Sequence, residues 1–220
     1  MDIADHHADW RGLLRLAAWA AFCSVGLLVV QVVVMAVWPP VHTVPDVLAL
    51  MQRSPVLGLV SLDVLLLVNN ILVLLVYLGL AVVLWPTFRS GVVVAVVLGI
   101  VQIAAYCASN PGVELLMMAR ADARTTDPSL QSAYRAAGEA LLSSWKGTAF
   151  LVYYFLGAVV LLLLAALIRR SPVFSSATFW WALAAGVLMV VPSTSAWWGW
   201  ASPSRPSCRG VCCACCSAPG

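Results

Sequence analysis

Three polar residues recur at intervals of seven within one long apolar stretch: Asp63, Asn70 and Tyr77, with Asn69 beside them. Two turns of an α-helix take about seven residues, so the three side chains fall on nearly one helical face. A carboxylate within a membrane helix costs about 2.5–3.5 kcal/mol on insertion scales, and such groups usually face the interior of a helix bundle or a wet cavity. The functional interpretation of this spacing is a polar track that lines a path for a solute or a proton, and we favour the structural interpretation that follows.

A purely structural interpretation of the same residues stays open. The apolar stretch, residues 57–85, is longer than a bilayer needs, so Asp63 can lie near the membrane interface. The amide and phenol groups of the track can also join neighbouring helices by hydrogen bonds, each worth on the order of 0.6–2 kcal/mol. Gln31 and Gln102 lie in other apolar stretches and are candidate partners.

The sequence contains no set of residues that resembles a known catalytic centre. The cluster Asp5, His6, His7 and Asp9 offers metal ligands, but it lies in a polar terminal segment, which favours an incidental role. We find no zinc-binding His pair at helical spacing, no nucleophile elbow and no phosphate-binding glycine loop. We therefore expect a protein that is not an enzyme and that holds no metal and no cofactor.

The elements that position these residues must be helices in lipid. The 220-residue chain is 63% hydrophobic and 10% charged, with a mean hydropathy of +0.98, which excludes an ordinary water-soluble domain. A hydrocarbon core of about 30 Å requires about 20 apolar residues, and within lipid the backbone must hydrogen-bond to itself. The sequence predicts an all-α, polytopic transmembrane helix bundle, residues 1–193, whose partner is the lipid bilayer and not nucleic acid. Self-association is left open. Five predicted spans lie near residues 13–38, 57–85, 91–108, 148–168 and 173–191.

The third predicted span carries small residues at intervals of four: Gly91, Ala95 and Gly99. Such a ladder forms a groove that lets another helix approach closely. We expect it to join helices within this chain rather than two copies of it.

The connection after the third span, residues 109–147, contains two sequence signals for the start of a helix. Asn110-Pro111 and Asp127-Pro128 each place a cap residue before a Pro that suits the first helical turn. The second helix carries one apolar stripe: Leu130, Tyr134, Ala137, Leu141 and Trp145. This amphipathic helix either lies along the membrane surface, with its Trp at headgroup depth, or packs back onto the bundle.

Basic residues give a first estimate of topology. With the N-terminus cytoplasmic, the inner side holds Arg11, Arg15, Arg89, Arg169 and Arg170. The outer side then holds Arg53, Arg120, Arg124, Arg135 and Lys146. The equal counts decide nothing, but the short flanks favour a cytoplasmic N-terminus. We expect a multi-pass protein of the cell membrane in this orientation.

The end of the chain, residues 194–220, is rich in Trp and Cys. Trp and Cys codons both begin with TG, so a shifted reading frame converts them into codons for Leu, Met or Val. We interpret this segment as the product of a frameshift that hides a sixth apolar span, or as disordered. A thiolate metal site and palmitoylated cysteines are the competing interpretations.

Several short motifs carry a family resemblance. They are Asn110-Pro111, Glu114 to Met117, Ala136 to Ala140, Gly147 to Phe150 and Val191 to Ser193. Together they resemble an uncharacterised family of bacterial multi-spanning membrane proteins known only as a domain of unknown function. The resemblance implies about six helices with a long connection after the third, and it brings no activity and no site residues.

Three classes of function remain open. We expect a structural or stress-related membrane module without chemistry. The alternative is a transporter of small solutes or ions that uses the polar track of the second span. An intramembrane enzyme ranks last, since no nucleophile, base and orienting group can be assembled.

Overall fold

The computed structural model describes residues 10–38 and 43–201, with side chains up to Val190. Within these residues the chain is helical and has no strand, which confirms the all-α prediction. A five-residue π-helical turn, Trp145–Ala149, joins the helix Pro128–Ser144 to the helix Phe150–Arg170. In chain order the α-helices are α1 (Arg11–Val37), α2 (Val44–Arg53), α3 (Pro55–Ser61), α4 (Val64–Leu84), α5 (Arg89–Ser109), α6 (Gly112–Asp122), α7 (Pro128–Ser144), α8 (Phe150–Arg170) and α9 (Ser176–Ala201).

The long helices α1, α4, α5, α8 and α9 form an antiparallel bundle in which each packs mainly on the next. Four apolar helical stretches are long enough to cross a membrane: Arg11–Val37, Val64–Leu84, Arg89–Asp122 and Pro128–Arg170. A shorter apolar stretch, Ser176–Val190, follows. The bundle core is formed by Tyr77, Leu84, Val92, Ala95, Ile103, Val160, Leu164, Leu167 and Ile168.

The short helices α2, α3, α6 and α7 pack together at one end of the bundle, and we call this group the cap. They connect the end of α1 to the start of α4, and the end of α5 to the start of α8. The Asn110 Nδ2 donates a 2.8 Å hydrogen bond to the Leu62 carbonyl, which joins the two connections. The cap has its own apolar core: Val44, Val47, Leu48, Met51, Leu62, Leu115, Ala119, Leu142 and Trp145.

The apolar stretch 57–85 is interrupted, which corrects the single helix expected from its sequence. α3 ends at Ser61 and α4 begins at Val64, with Asp63 between them in a left-handed conformation at φ 59°. Asp tolerates this conformation better than most residues do. The interruption explains how a stretch that is too long for the bilayer is accommodated, since its first turns belong to the cap.

Helix α7 packs on α2 and α6 within the cap, and its position relative to the membrane surface stays a prediction. Its buried residues are Gly138 and Leu142, and Trp145 follows them on the same side with only 6% of its surface exposed. Leu130 and Ala137 of the predicted stripe are exposed. The stripe is therefore rotated from the prediction, because Gly138 allows Val44 to approach: a Cβ at Gly138 would lie 2.8 Å from Val44 Cγ1.

The remaining boundaries differ from the predicted spans in detail. The first and third spans match α1 and α5 closely, whereas α9 begins at Ser176 and continues to Ala201. Residues 202–220 and the cluster of Asp5, His6, His7 and Asp9 lie outside the described residues. The frameshift, metal and palmitoylation interpretations therefore stay predictions.

Candidate functional site

The outside of the bundle is apolar, as expected for a protein embedded in a membrane. Helix α1 exposes most of its large side chains, among them Trp19, Phe22 and Val32. Its buried residues are Ala17, Ala20 and Ser24, which face α4. The fold and this surface together define the chain as a helical membrane protein.

The carboxylate of the predicted track lies where the cap joins the bundle. Asp63 precedes the first turn of α4, and its Oδ1 accepts a 2.9 Å hydrogen bond from Gln31 Nε2 of α1. Gln31 is one of the two glutamines that the sequence offered as partners. The Asp63 side chain thus joins the cap end of α1 to the start of α4.

The two asparagines of the track lie two turns further along α4 and are buried. Ser24 Oγ of α1 donates a 2.6 Å hydrogen bond to Asn69 Oδ1. Tyr153 of α8 donates a 2.9 Å hydrogen bond from its hydroxyl to Asn70 Oδ1. Asn70 exposes only 1% of its surface. The two hydrogen bonds join α4 to α1 on one side and to α8 on the other.

Tyr77, the last residue of the track, occupies the groove of the small-residue ladder. A Cβ at Gly99 would lie 2.7 Å from the Tyr77 ring, so only glycine leaves room for it. Ala95 is buried beside this contact, and a Cβ at Gly91 would lie 3.0 Å from Leu167 of α8. The ladder contacts side chains of α4 and α8 in this chain rather than the backbone of another helix.

Two tyrosines beside the track had no role assigned from the sequence, whereas Gln102 was expected as a partner of the track. Tyr106 and Tyr153 lie on α5 and α8, and their ring centroids are 4.5 Å apart. Gln102 precedes Tyr106 by one helical turn and exposes only 2% of its surface. The sequence signal was present in the i, i+4 spacing of Gln102 and Tyr106, but their neighbours depend on how α5 packs against α8.

Four buried polar atoms of this region have no hydrogen-bond partner within the described part of the chain. They are Gln31 Oε1, Asn70 Nδ2, Gln102 Oε1 and the Tyr106 hydroxyl. Each unsatisfied buried polar group costs roughly 1–3 kcal/mol, so such groups usually have a water or a ligand as partner. The interior of the bundle therefore provides polar binding positions that the described residues do not fill.

A cleft of about 490 Å³ lies beside these groups, between α1 and α9, and α4, α5 and α8 form its back. Its lining is mostly apolar. The polar residues that reach it are Ser24, Asn69, Tyr77, Gln102, Tyr153 and Tyr154. The cleft thus combines apolar walls with amide and hydroxyl groups, the usual character of a small-molecule site.

The described side chains that line the cleft are uncharged. Over residues 10–38 and 43–201 there is no group of three His, Cys, Asp or Glu residues that could hold a metal ion. The groups present donate and accept hydrogen bonds, so the arrangement is suited to binding water or a neutral polar molecule.

No protein-family model matches the chain, and no match was found among curated proteins or solved structures. The resemblance to the uncharacterised bacterial family therefore stays a prediction.

Proposed function

We propose that this chain is a non-enzymatic structural module of the cell membrane, in which the intramembrane polar residues chiefly fasten the helices. The observation that carries the proposal is the set of hydrogen bonds between helices far apart in sequence. Ser24 binds Asn69, Gln31 binds Asp63, and Tyr153 binds Asn70. A catalytic or transport group gains from being free to change partner, whereas these oxygens are each engaged by another helix.

A double-mutant cycle on Ser24 and Asn69 tests this role. Ser24→Ala, Asn69→Ala and the double variant are unfolded by SDS titration from mild detergent, and the free energies of unfolding are compared. Hydrogen bonds between membrane helices have coupling energies averaging about 0.6 kcal/mol and reaching about 1.7 kcal/mol. A coupling in this range supports the structural role, and strictly additive effects count against it.

The proposed orientation places the N-terminus in the cytoplasm. The bundle end opposite the cap carries Arg11, Arg15, Arg89, Arg169 and Arg170 beside short connections, and the positive-inside rule weighs short connections most. An epitope inserted between Ser171 and Ser175 tests this. It should be reached by antibody only after the cells are permeabilised, and binding on intact cells would reverse the topology.

A second candidate function is transport of an ion or small solute along the polar track. It is favoured by three atoms that have no hydrogen-bond partner among the described residues and that extend from the cap toward the middle of the bundle: Gln31 Oε1, the Tyr106 hydroxyl and Gln102 Oε1. Liposomes that contain the protein and a pH-sensitive dye measure proton flux, and a Na⁺-sensitive dye measures Na⁺ flux. Asp63→Asn should abolish a flux that uses the carboxylate, and an unchanged flux would remove Asp63 from the mechanism.

A further inference from the structure

We propose that the cleft between α1 and α9 binds an uncharged lipid-like molecule that has one acyl chain and a hydroxylated head group. The cleft volume of about 490 Å³ lies within the range of about 300–1,000 Å³ that small-molecule sites occupy. This site is distinct from the hydrogen bonds that fasten the helices, although it shares their neighbourhood.

The cleft opens sideways at the middle of the bundle. Ser24, which lines it, is the central residue of α1, since it lies 13 positions after Arg11 and 13 positions before Val37. Val25 and Leu28 also line the cleft, yet they expose 63% and 43% of their surface. Because this depth in a spanning helix lies within the hydrocarbon core, the occupant enters from the lipid rather than from water.

The walls of the cleft suit an acyl chain. They are formed by aliphatic side chains from four helices: Leu28, Val73, Leu80, Leu164, Ala185 and Met189. Among the described residues α1 packs mainly on α4 and α9 packs mainly on α8, so these residues leave a gap between α1 and α9 that a molecule from the lipid can occupy. A chain in this gap contacts both helices along its length.

The back of the cleft selects the head group. Gln102 is buried to 98%, lines the cleft, and its Oε1 has no partner among the described residues. This oxygen requires a hydrogen-bond donor. Tyr77 and Tyr154 also line the cleft, and a tyrosine hydroxyl can both donate and accept a hydrogen bond. A hydroxyl group on the ligand can donate a hydrogen bond to Gln102 Oε1, and it can donate to or accept from a tyrosine hydroxyl.

The absence of charge from the described lining excludes a charged head group. An ionised phosphate, carboxylate or ammonium taken out of water without a counter-charge is strongly unfavourable. The side chains that line the cleft are apolar, amide or hydroxyl. The ligand class is therefore a neutral hydroxylated lipid, of which a monoacylglycerol is the simplest representative.

Competition in lipid nanodiscs tests the head-group preference on the full chain. A photoreactive monoacylglycerol that carries a diazirine on its acyl chain labels the protein, and 1-oleoylglycerol, methyl oleate or oleate is added as competitor. These competitors share one acyl chain and differ in the head. One lost hydrogen bond corresponds to roughly two- to tenfold in affinity, so methyl oleate should compete two- to tenfold less well than 1-oleoylglycerol. Oleate should compete least, and equal competition by all three would overturn the proposal.

Substitutions distinguish specific binding from general contact with lipid. Gln102→Leu should reduce the preference for 1-oleoylglycerol over methyl oleate, while the Tm without ligand stays the same or rises because a buried group without a partner among the described residues is removed. Ala185→Phe should fill the cleft and reduce labelling, whereas Ala184→Phe, on the adjacent exposed position, should not. If Gln102→Leu keeps the head-group preference, or both Phe variants label alike, the cleft is not the site.

Discussion

The Tyr153 hydroxyl donates a 2.9 Å hydrogen bond to Asn70 Oδ1, and the other end of the Asn70 side chain, Nδ2, has no partner in the described part of the chain. One amide therefore both fastens α4 to α8 and leaves a donor directed into the bundle. Such residues serve both the structural role and the binding role that we propose, because the side chains that join the helices also place polar groups inside the bundle.

Removing that hydrogen bond should destabilise the bundle. Tyr153→Phe leaves Asn70 buried with neither end paired, and we expect a loss of about 1–2 kcal/mol in the free energy of unfolding. Tyr154→Phe is the matched control, since Tyr154 is the next residue and is only partly buried. Unfolding in an SDS titration measures both. Equal losses would mean that the Tyr153–Asn70 hydrogen bond contributes nothing specific.

The contact between Gly99 and Tyr77 predicts an asymmetric response to Gly→Ala changes. A Cβ at Gly99 would lie 2.7 Å from the Tyr77 ring, whereas a Cβ at Gly26 meets nothing within 4 Å. Overpacking typically costs about 1–3 kcal/mol. Gly99→Ala should therefore lower the Tm, and Gly26→Ala should leave it unchanged or raise it, since Ala favours a helix over Gly. A neutral Gly99→Ala would show that Tyr77 moves away without cost.

The sequence predicts which segments form the long helices, but it does not predict which side chains contact each other between them. Long apolar runs predict α1, α4, α5 and α8 because lipid requires such lengths. The pairing of Ser24 with Asn69 depends on the register between α1 and α4, which hydropathy does not encode. Gln31 was expected as a partner of the track residues because polar residues in apolar runs are rare. The sequence did not specify that its partner is Asp63.

Two local features were missed for physical reasons. The interruption at Asp63 lies inside a continuous apolar run, so hydropathy gives no sign of it, and only the αL conformation reveals it. The face of α7 was misplaced because the helix is rich in small residues, among them Ala137 and Gly138, which carry little hydrophobic signal. Close packing on Val44, rather than hydrophobicity, sets the rotation of α7.

The left-handed backbone at Asp63 predicts which substitutions it tolerates. Asp63→Asn keeps a side chain that accepts from Gln31 Nε2 and suits φ 59°, so it should fold nearly as well as the wild type. Asp63→Leu places a bulkier side chain in the same conformation and loses the hydrogen bond. The left-handed conformation alone costs roughly 1–2 kcal/mol for such a residue.

Comparing Asp63→Asn with Asp63→Leu distinguishes the effect of the left-handed backbone from the effect of the negative charge. The free energies of unfolding are measured by SDS titration at one pH. We expect the wild type to be the most stable, followed by Asp63→Asn and then by Asp63→Leu. If Asn is as destabilised as Leu, the negative charge of Asp63 is essential to the fold. If Leu is tolerated, the turn between α3 and α4 is not strained.

The cap helix α7 should lose stability in acid through Asp127. The Asp127 carboxylate accepts hydrogen bonds from the Ser129 side chain and the Ser129 backbone N–H, which lower its pKa below the usual value of 3.8. A lowered pKa in the folded state means that the stabilisation is fully present above pH 3.8 and is lost as the pH falls through the lower, folded value. Asp127→Ala should therefore lower the Tm at pH 6, and the difference from the wild type should shrink toward pH 2–3.

Glu139→Ala, an exposed change in the middle of the same helix, should show no such convergence. A difference between wild type and Asp127→Ala that stays constant from pH 6 to pH 2 would mean that the carboxylate does not stabilise α7 as an anion.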